Sequence, residues 1–128
     1  MQLTTPQRTI TISLLGTDQD TQAFYSYLSP VTGQSYIDAP LCDLLVNQPV
    51  YCLFVLDYAS TMSGWTIVDT SPYGRSPALE QTPGALNLSV LTYNPHTTTD
   101  TYRFYINYLN TITGTTVSID PQEGNIPR

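Results

Sequence analysis

The sequence predicts an all-β protein, a single-domain antiparallel β-sandwich of about seven or eight strands, with a small β-barrel as the alternative. Three observations carry this. Apolar residues alternate with polar ones at period two in several short stretches, the signature of half-buried strands. Turn formers separate these stretches at short intervals. Twenty Thr and ten Tyr, both strand formers, supply much of the polar surface in a 128-residue chain. The length fits one domain over 1–128, with no internal repeat and no interdomain linker.

The most apolar run is Val50 to Tyr58, Val-Tyr-Cys-Leu-Phe-Val-Leu-Asp-Tyr. Cys52, Phe54 and Leu56 share one face and Tyr51, Leu53 and Val55 the other, so this strand is expected to be covered on both sides or to sit mid-sheet. Earlier, Ile10, Ile12 and Leu14 alternate with Thr9, Thr11 and Ser13, and 16–20 ends that strand. Residues 22–28 form a second strand with Phe24, Tyr25, Tyr27 and Leu28, and 34–37 a short continuation after the turn at 29–33. The stretch 39–46 fits one helical turn or a strand paired with 50–58. Ser60 to Gly64 is small and polar, a loop. Trp65 and Ile67 then face inward. Residues 71–84 hold Pro72, Pro77 and Pro83 and predict a long irregular connection, a place where function often lies. Leu86, Leu88 and Val90 alternate as a further strand, followed by a turn at 93–96. Thr101 to Leu109 is the longest clean alternation, with Tyr102, Phe104, Ile106 and Tyr108 on one face. Residues 116–119 make the last strand. Asp120-Pro121 stops it, because proline offers no ladder donor and aspartate favours turns.

Composition excludes several functions. The chain has no Lys, and Arg8, Arg75, Arg103 and Arg128 are its only cations against ten acids, a net charge of −6. Phosphate recognition needs clustered cations, so nucleic acid and anionic membrane surfaces are disfavoured as partners. No run approaches the length of a membrane span. The N-terminus begins with Met and lacks a basic region followed by an apolar core, which predicts an unexported, cytoplasmic product. Cys42 and Cys52 bracket Asn47-Gln48-Pro49. A hairpin there would set them opposite each other; two buried thiols are the simpler expectation in a reducing compartment. Two Cys and one His fall short of a closed zinc site, and no motif calls for a cofactor.

The residues that might carry chemistry have plain alternatives. Asp18 and Asp20 are suitable calcium ligands, but the twelve-residue calcium loop is absent and exposed turn acids explain them. His96 has no nucleophile elbow beside it and fits a solvated turn. Asp57, Asp69 and Glu80 offer carboxylates for glycoside hydrolysis, which needs a pair about 5 to 10 Å apart. Asp57 and Asp69 flank one loop, yet acids at strand ends need no catalytic role. The aromatics are the richest feature. Trp65 with Tyr25, Tyr27, Tyr73 or Tyr105 would make a platform for sugar rings; packing in the core is the competing role, and the expected one for Trp65. Tyr73 and Arg75, in Ser71-Pro-Tyr-Gly-Arg75, are the exposed pair. Tyr73, Arg75 and Trp65 are therefore the candidate binding residues.

Ser118-Ile119-Asp120-Pro121-Gln122-Glu123-Gly124-Asn125-Ile126-Pro127, with Gly64-Trp65-Thr66-Ile67 upstream, resembles the DP-EP family of small bacterial proteins. Glu123 is followed by Gly124 where the family name suggests Glu-Pro. All-β bacterial proteins of the inclusion-body and AidA-like group end a last strand in a similar Asp-Pro. The resemblance implies a β-sandwich-like domain in a bacterial cell and transfers no catalytic residue. The sequence thus leads to a non-enzymatic domain acting through self-association or protein binding. Few charges guard its strand edges, so a homo-oligomer is the first expectation. A small-ligand or glycan-binding module and a carboxylate-based hydrolase are the alternatives.

Overall fold

The computed structural model describes residues 7–29, 33–42, 50–72, 79–82, 88–93 and 104–122. These form β1 (Gln7–Leu15), β2 (Gln22–Leu28), β3 (Ser35–Ala39), β4 (Val50–Leu56), α1 (Tyr58–Met62), β5 (Trp65–Pro72), β6 (Leu79–Thr82), β7 (Leu88–Tyr93), β8 (Phe104–Asn110) and β9 (Thr116–Ile119). The protein is all-β. One sheet has six strands in the order β3-β2-β1-β4-β7-β6, and the other three in the order β5-β8-β9. Among the described residues no ladder joins the two sheets. None of their helices is long and apolar enough to cross a membrane.

The alternation in β1 and β8 sets the core. Ile10, Ile12 and Leu14 of β1 are buried, as are Phe104, Ile106 and Tyr108 of β8. They join Ala23, Tyr25 and Tyr27 of β2 and Trp65 and Ile67 of β5 in one cluster that draws on both sheets. Phe54 of β4 meets Phe104 of β8 edge to face, with ring centroids 6.1 Å apart, the geometry that aromatic quadrupoles favour. At one rim the chain leaving β3 is tied to the chain leaving β9 by the Cys42 amide donating to the Pro121 carbonyl at 2.7 Å. Asp120 ends β9 as expected: its carboxylate accepts the Gln122 amide at 2.8 Å.

Several expectations are corrected. β4 lies between β1 and β7, parallel to the first and antiparallel to the second. Both its edges are taken, so 39–42, the described part of 39–46, is not its ladder neighbour, and the expected turn at Asn47-Gln48-Pro49 between Cys42 and Cys52 lies outside the described residues. Cys42 is buried. β4 lies mid-sheet, one of the two arrangements expected of it; Phe54 and Leu56 on one face are buried, and Leu53 and Val55 on the other are half-buried. The parallel β1–β4 pair also breaks the fully antiparallel expectation. It forms because the chain makes β2 and β3 on one side of β1 before returning to the other. Of 34–37, residues 35–37 belong to a separate edge strand, β3, and part of the proline-rich connection pairs with β7 as β6. In β2 the residues that enter the core are Ala23, Tyr25 and Tyr27, while Leu28 is exposed.

Two core hydroxyls stand out. Tyr25 and Tyr108 are fully buried, and neither phenolic oxygen has a hydrogen-bond partner among the described residues. Burial pushes both phenols well above the ordinary tyrosine range, and at Tyr25 the nearby Tyr108, Cys42 and Asp120 push the same way. A buried hydroxyl without a partner carries an uncompensated desolvation cost of roughly 1–3 kcal/mol. Tyr108→Phe and Tyr25→Phe keep the ring and remove that cost. Each variant is expected to unfold at the wild-type urea midpoint or above it; a clear drop would contradict the unpartnered geometry.

Candidate functional site

The most constructed surface lies at the end of the molecule where β1 and β4 finish and β5 begins. Three connections meet there: the β1–β2 turn, α1, and the β8–β9 turn. α1 replaces the loop expected over 60–64. Its origin is local. Asp57 is extended (φ −69°, ψ 170°) and its carboxylate accepts the Ser60 amide at 2.8 Å, an N-cap that satisfies one of the orphan donors of the first turn. The Asp57 amide donates to the Ile12 carbonyl at 2.8 Å, and the Leu14 amide donates to the buried Ser60 hydroxyl at 2.8 Å. The helical turn thus continues, by side-chain bonding, a ladder whose last backbone pair is Ile12 with Leu56.

The same end is stitched from the other sheet. The Trp65 indole N–H donates to the Gly16 carbonyl at 3.0 Å. Asn110 is fully buried; its amide nitrogen donates to the Ser63 carbonyl at 3.0 Å, and its oxygen accepts the Ile112 and Thr113 amides at 3.0 and 3.1 Å. Thr111 donates through its amide and its hydroxyl to the Gly64 carbonyl, at 2.8 and 3.0 Å. Thr113 reaches the Thr17 carbonyl of the β1–β2 turn at 3.1 Å. These bonds join both sheets, so the surface they carry is preorganised.

Among its exposed polar residues that surface carries four large apolar side chains. Tyr58 is 79% exposed, Ile112 73%, Met62 63% and Leu15 60%. Tyr58 and Met62 stand four residues apart and share one face of the α1 turn. Ile112 lies over Gly64, two residues beyond Met62: a Cβ added at Gly64 would stand 2.9 Å from its Cγ1. Leu15, Tyr58, Met62 and Ile112 are thus exposed apolar side chains carried by connections that hydrogen bonds tie together at one end of the molecule, which makes that end the candidate for interaction.

The residues singled out in the sequence fare differently. Trp65 is 0% exposed, so it offers no free ring face and is a core residue that anchors the pole from beneath. This removes it from the binding set. Tyr73 and Arg75 lie outside the described residues, as does His96. Asp57 and Asp69 are held in separate structures. Asp69 sits on β5 opposite Asn107, just past a bulge that leaves Val68 and Asp69 both exposed. There it accepts from the Asn107 side chain at 2.6 Å, in a cross-strand network that also includes Ser71 and Ser118. Asp57 is partly withdrawn from water, which works against its charge; hydrogen bonds from the Ser60 hydroxyl, the Ser60 amide and the Ser13 hydroxyl outweigh that and hold its carboxyl below the ordinary aspartate range. A general acid needs the opposite shift. Glu80 lies on β6 in the six-stranded sheet. Among the described residues no group of His, Cys, Asp or Glu is placed to hold a metal ion.

The depressed Asp57 carboxyl has a stability consequence of defined sign. A group whose pKa is lower folded than unfolded stabilises the protein fully above its unfolded pKa, and that contribution fades as pH falls through the folded value. Asp57→Asn keeps an N-cap acceptor but does not titrate. Below about pH 4, the ordinary aspartate pKa, the wild type is expected to lose its advantage over this variant progressively, as read from urea midpoints on a pH series. Asp57→Ala, lacking the cap, is expected to cost about 1 kcal/mol at neutral pH.

The sequence did carry a signal for this pole. Asp57, with Ser60 three residues on and Tyr58 and Met62 four apart, is a short capped helical turn. No protein-family model matches the chain, and no curated protein matches it.

Proposed function

We propose that this chain is a non-enzymatic all-β domain that acts by binding protein, and that the pole formed by the β1–β2 turn, α1 and the β8–β9 turn is its contact surface. The observation that carries the reading is the set of four large apolar side chains, Leu15, Tyr58, Met62 and Ile112, held exposed on a hydrogen-bonded platform. A contact made there costs little ordering of the backbone, and aromatic and Met side chains are favoured at interface centres. A synthetic amphipathic peptide of Leu and Gln tests it by titration into the ¹⁵N-labelled chain. Amide shifts confined to residues 15–17, 58–62 and 111–113, abolished in Met62→Ser/Ile112→Thr, are the expected result. Shifts elsewhere, or binding that survives the double substitution, would remove the pole as the contact surface.

Self-association is the second reading, favoured by the β3 edge. Ile37 is 82% exposed on this outer strand of the six-stranded sheet, Leu28 and Leu41 are exposed near it, and no Lys or Arg occurs from residue 28 to 42. An edge without cationic guards invites pairing with another copy. Sedimentation of the wild type beside Ile37→Lys separates the cases: a dimer lost in the variant supports pairing, and a wild-type monomer at high micromolar concentration removes it.

A further inference from the structure

The charges around the pole say what kind of protein it takes. We propose that the pole binds a cationic amphipathic segment, which sets apolar side chains against Leu15, Tyr58, Met62 and Ile112 and Lys or Arg against Asp18 and Asp20. This rests on the reading of the pole as a binding surface and adds the chemistry of its partner.

The three connections that build the pole, residues 12–21, 56–66 and 109–116, contain Asp18, Asp20 and Asp57 and no Lys, Arg or His. Asp18 and Asp20 are exposed, in a turn fixed by the Asp20 amide donating to the Asp18 carboxylate at 2.9 Å and by Thr113 bonding to Thr17. Arg8 is at the far end of β1 from Leu15, seven residues away and therefore about 23 Å along the strand. That exceeds the Debye length of about 8 Å at physiological ionic strength, so Arg8, the one cation among the described residues, does not offset the acids at the pole. An apolar centre with an acidic rim is complementary to an apolar segment flanked by cations. A second copy docked pole to pole would bring two sets of Asp18 and Asp20 together, and like charges oppose that contact. An anionic peptide or lipid surface meets the same repulsion.

The test uses three synthetic peptides of one length with Leu at the same positions and Lys, Gln or Glu at all others, titrated into the ¹⁵N-labelled full chain at low and high salt. The Lys peptide is expected to shift the amides of 15–20, 58–62 and 111–113, to bind about tenfold or more tighter than the Gln peptide, and to lose that margin as salt rises. The Glu peptide is expected not to bind. Asp18→Asn/Asp20→Asn keeps the turn's side-chain acceptors and is expected to erase most of the margin of the Lys peptide over the Gln peptide. Equal affinity for the three peptides, a Lys margin that survives the Asn substitutions, or Lys-peptide shifts spread over the whole domain would overturn the proposed charge selection while the Gln-peptide result upholds the pole. Failure of every peptide to shift the pole would overturn both.

Discussion

Gly64→Ala is expected to cost about 3 kcal/mol, from backbone strain and steric overlap of about 1–3 kcal/mol each. Gly64 has φ +101°, a conformation that side chains with a Cβ rarely adopt. An added Cβ would also stand 2.7 Å from the Asn110 side-chain oxygen and 2.9 Å from Ile112 Cγ1. Asn110 cannot retreat without loosening its bonds to Ser63, Ile112 and Thr113. Gly114→Ala is the control: it too has positive φ, +76°, but nothing among the described residues lies within 4 Å of its would-be Cβ. It should cost only the backbone strain, about 1 kcal/mol. Urea midpoints of the two variants decide the matter. Equal losses would mean that the crowding around Gly64 is not felt. Because Ile112 belongs to the apolar pole, Gly64→Ala should also disturb amides at 111–113 beyond its local effect.

Trp65→Ala is expected to cost 3–5 kcal/mol, the range for emptying a large aromatic site in a packed core. Trp65 has no exposed surface and bonds to Gly16 across 49 residues of chain. Trp65→Phe keeps much of the ring volume and loses the indole bond, so it should fall well short of the alanine loss. Trp65 is the single tryptophan of the chain, so its emission reports its site directly. A blue-shifted band shielded from acrylamide is expected. A red-shifted, readily quenched band would contradict the burial on which the core assignment rests.

Most strands were legible because alternation is a local property. Ile10, Ile12 and Leu14, and Phe104, Ile106 and Tyr108, declare a buried face wherever their partners lie. The Asp120-Pro121 stop is equally local. The candidate site was less legible. Loop composition drew attention to Tyr73 and Arg75, which lie outside the described residues, and aromatic size drew it to Trp65, which is buried. The exposed apolar residues escaped notice because an isolated Leu15 or Ile112 in a turn carries no signal, and the capped turn that sets Tyr58 and Met62 on one face does not say what lies beside it. They become a surface only when three connections distant in the chain meet.

By itself, then, the sequence determined an all-β chain, the inward faces of its main strands, its acidic character and the absence of cations from residues 12–21, 56–66 and 109–116. Periodicity and charge are carried by neighbours along the chain, so they need no partner to be read. The tertiary structure decided the six-and-three division of strands, the parallel pairing of β1 with β4 and the meeting of the three connections at one end. Each depends on which distant segments pack together. Strand partners are chosen by side-chain fit across a sheet and between layers, and a strand's own residues specify a face without specifying what covers it.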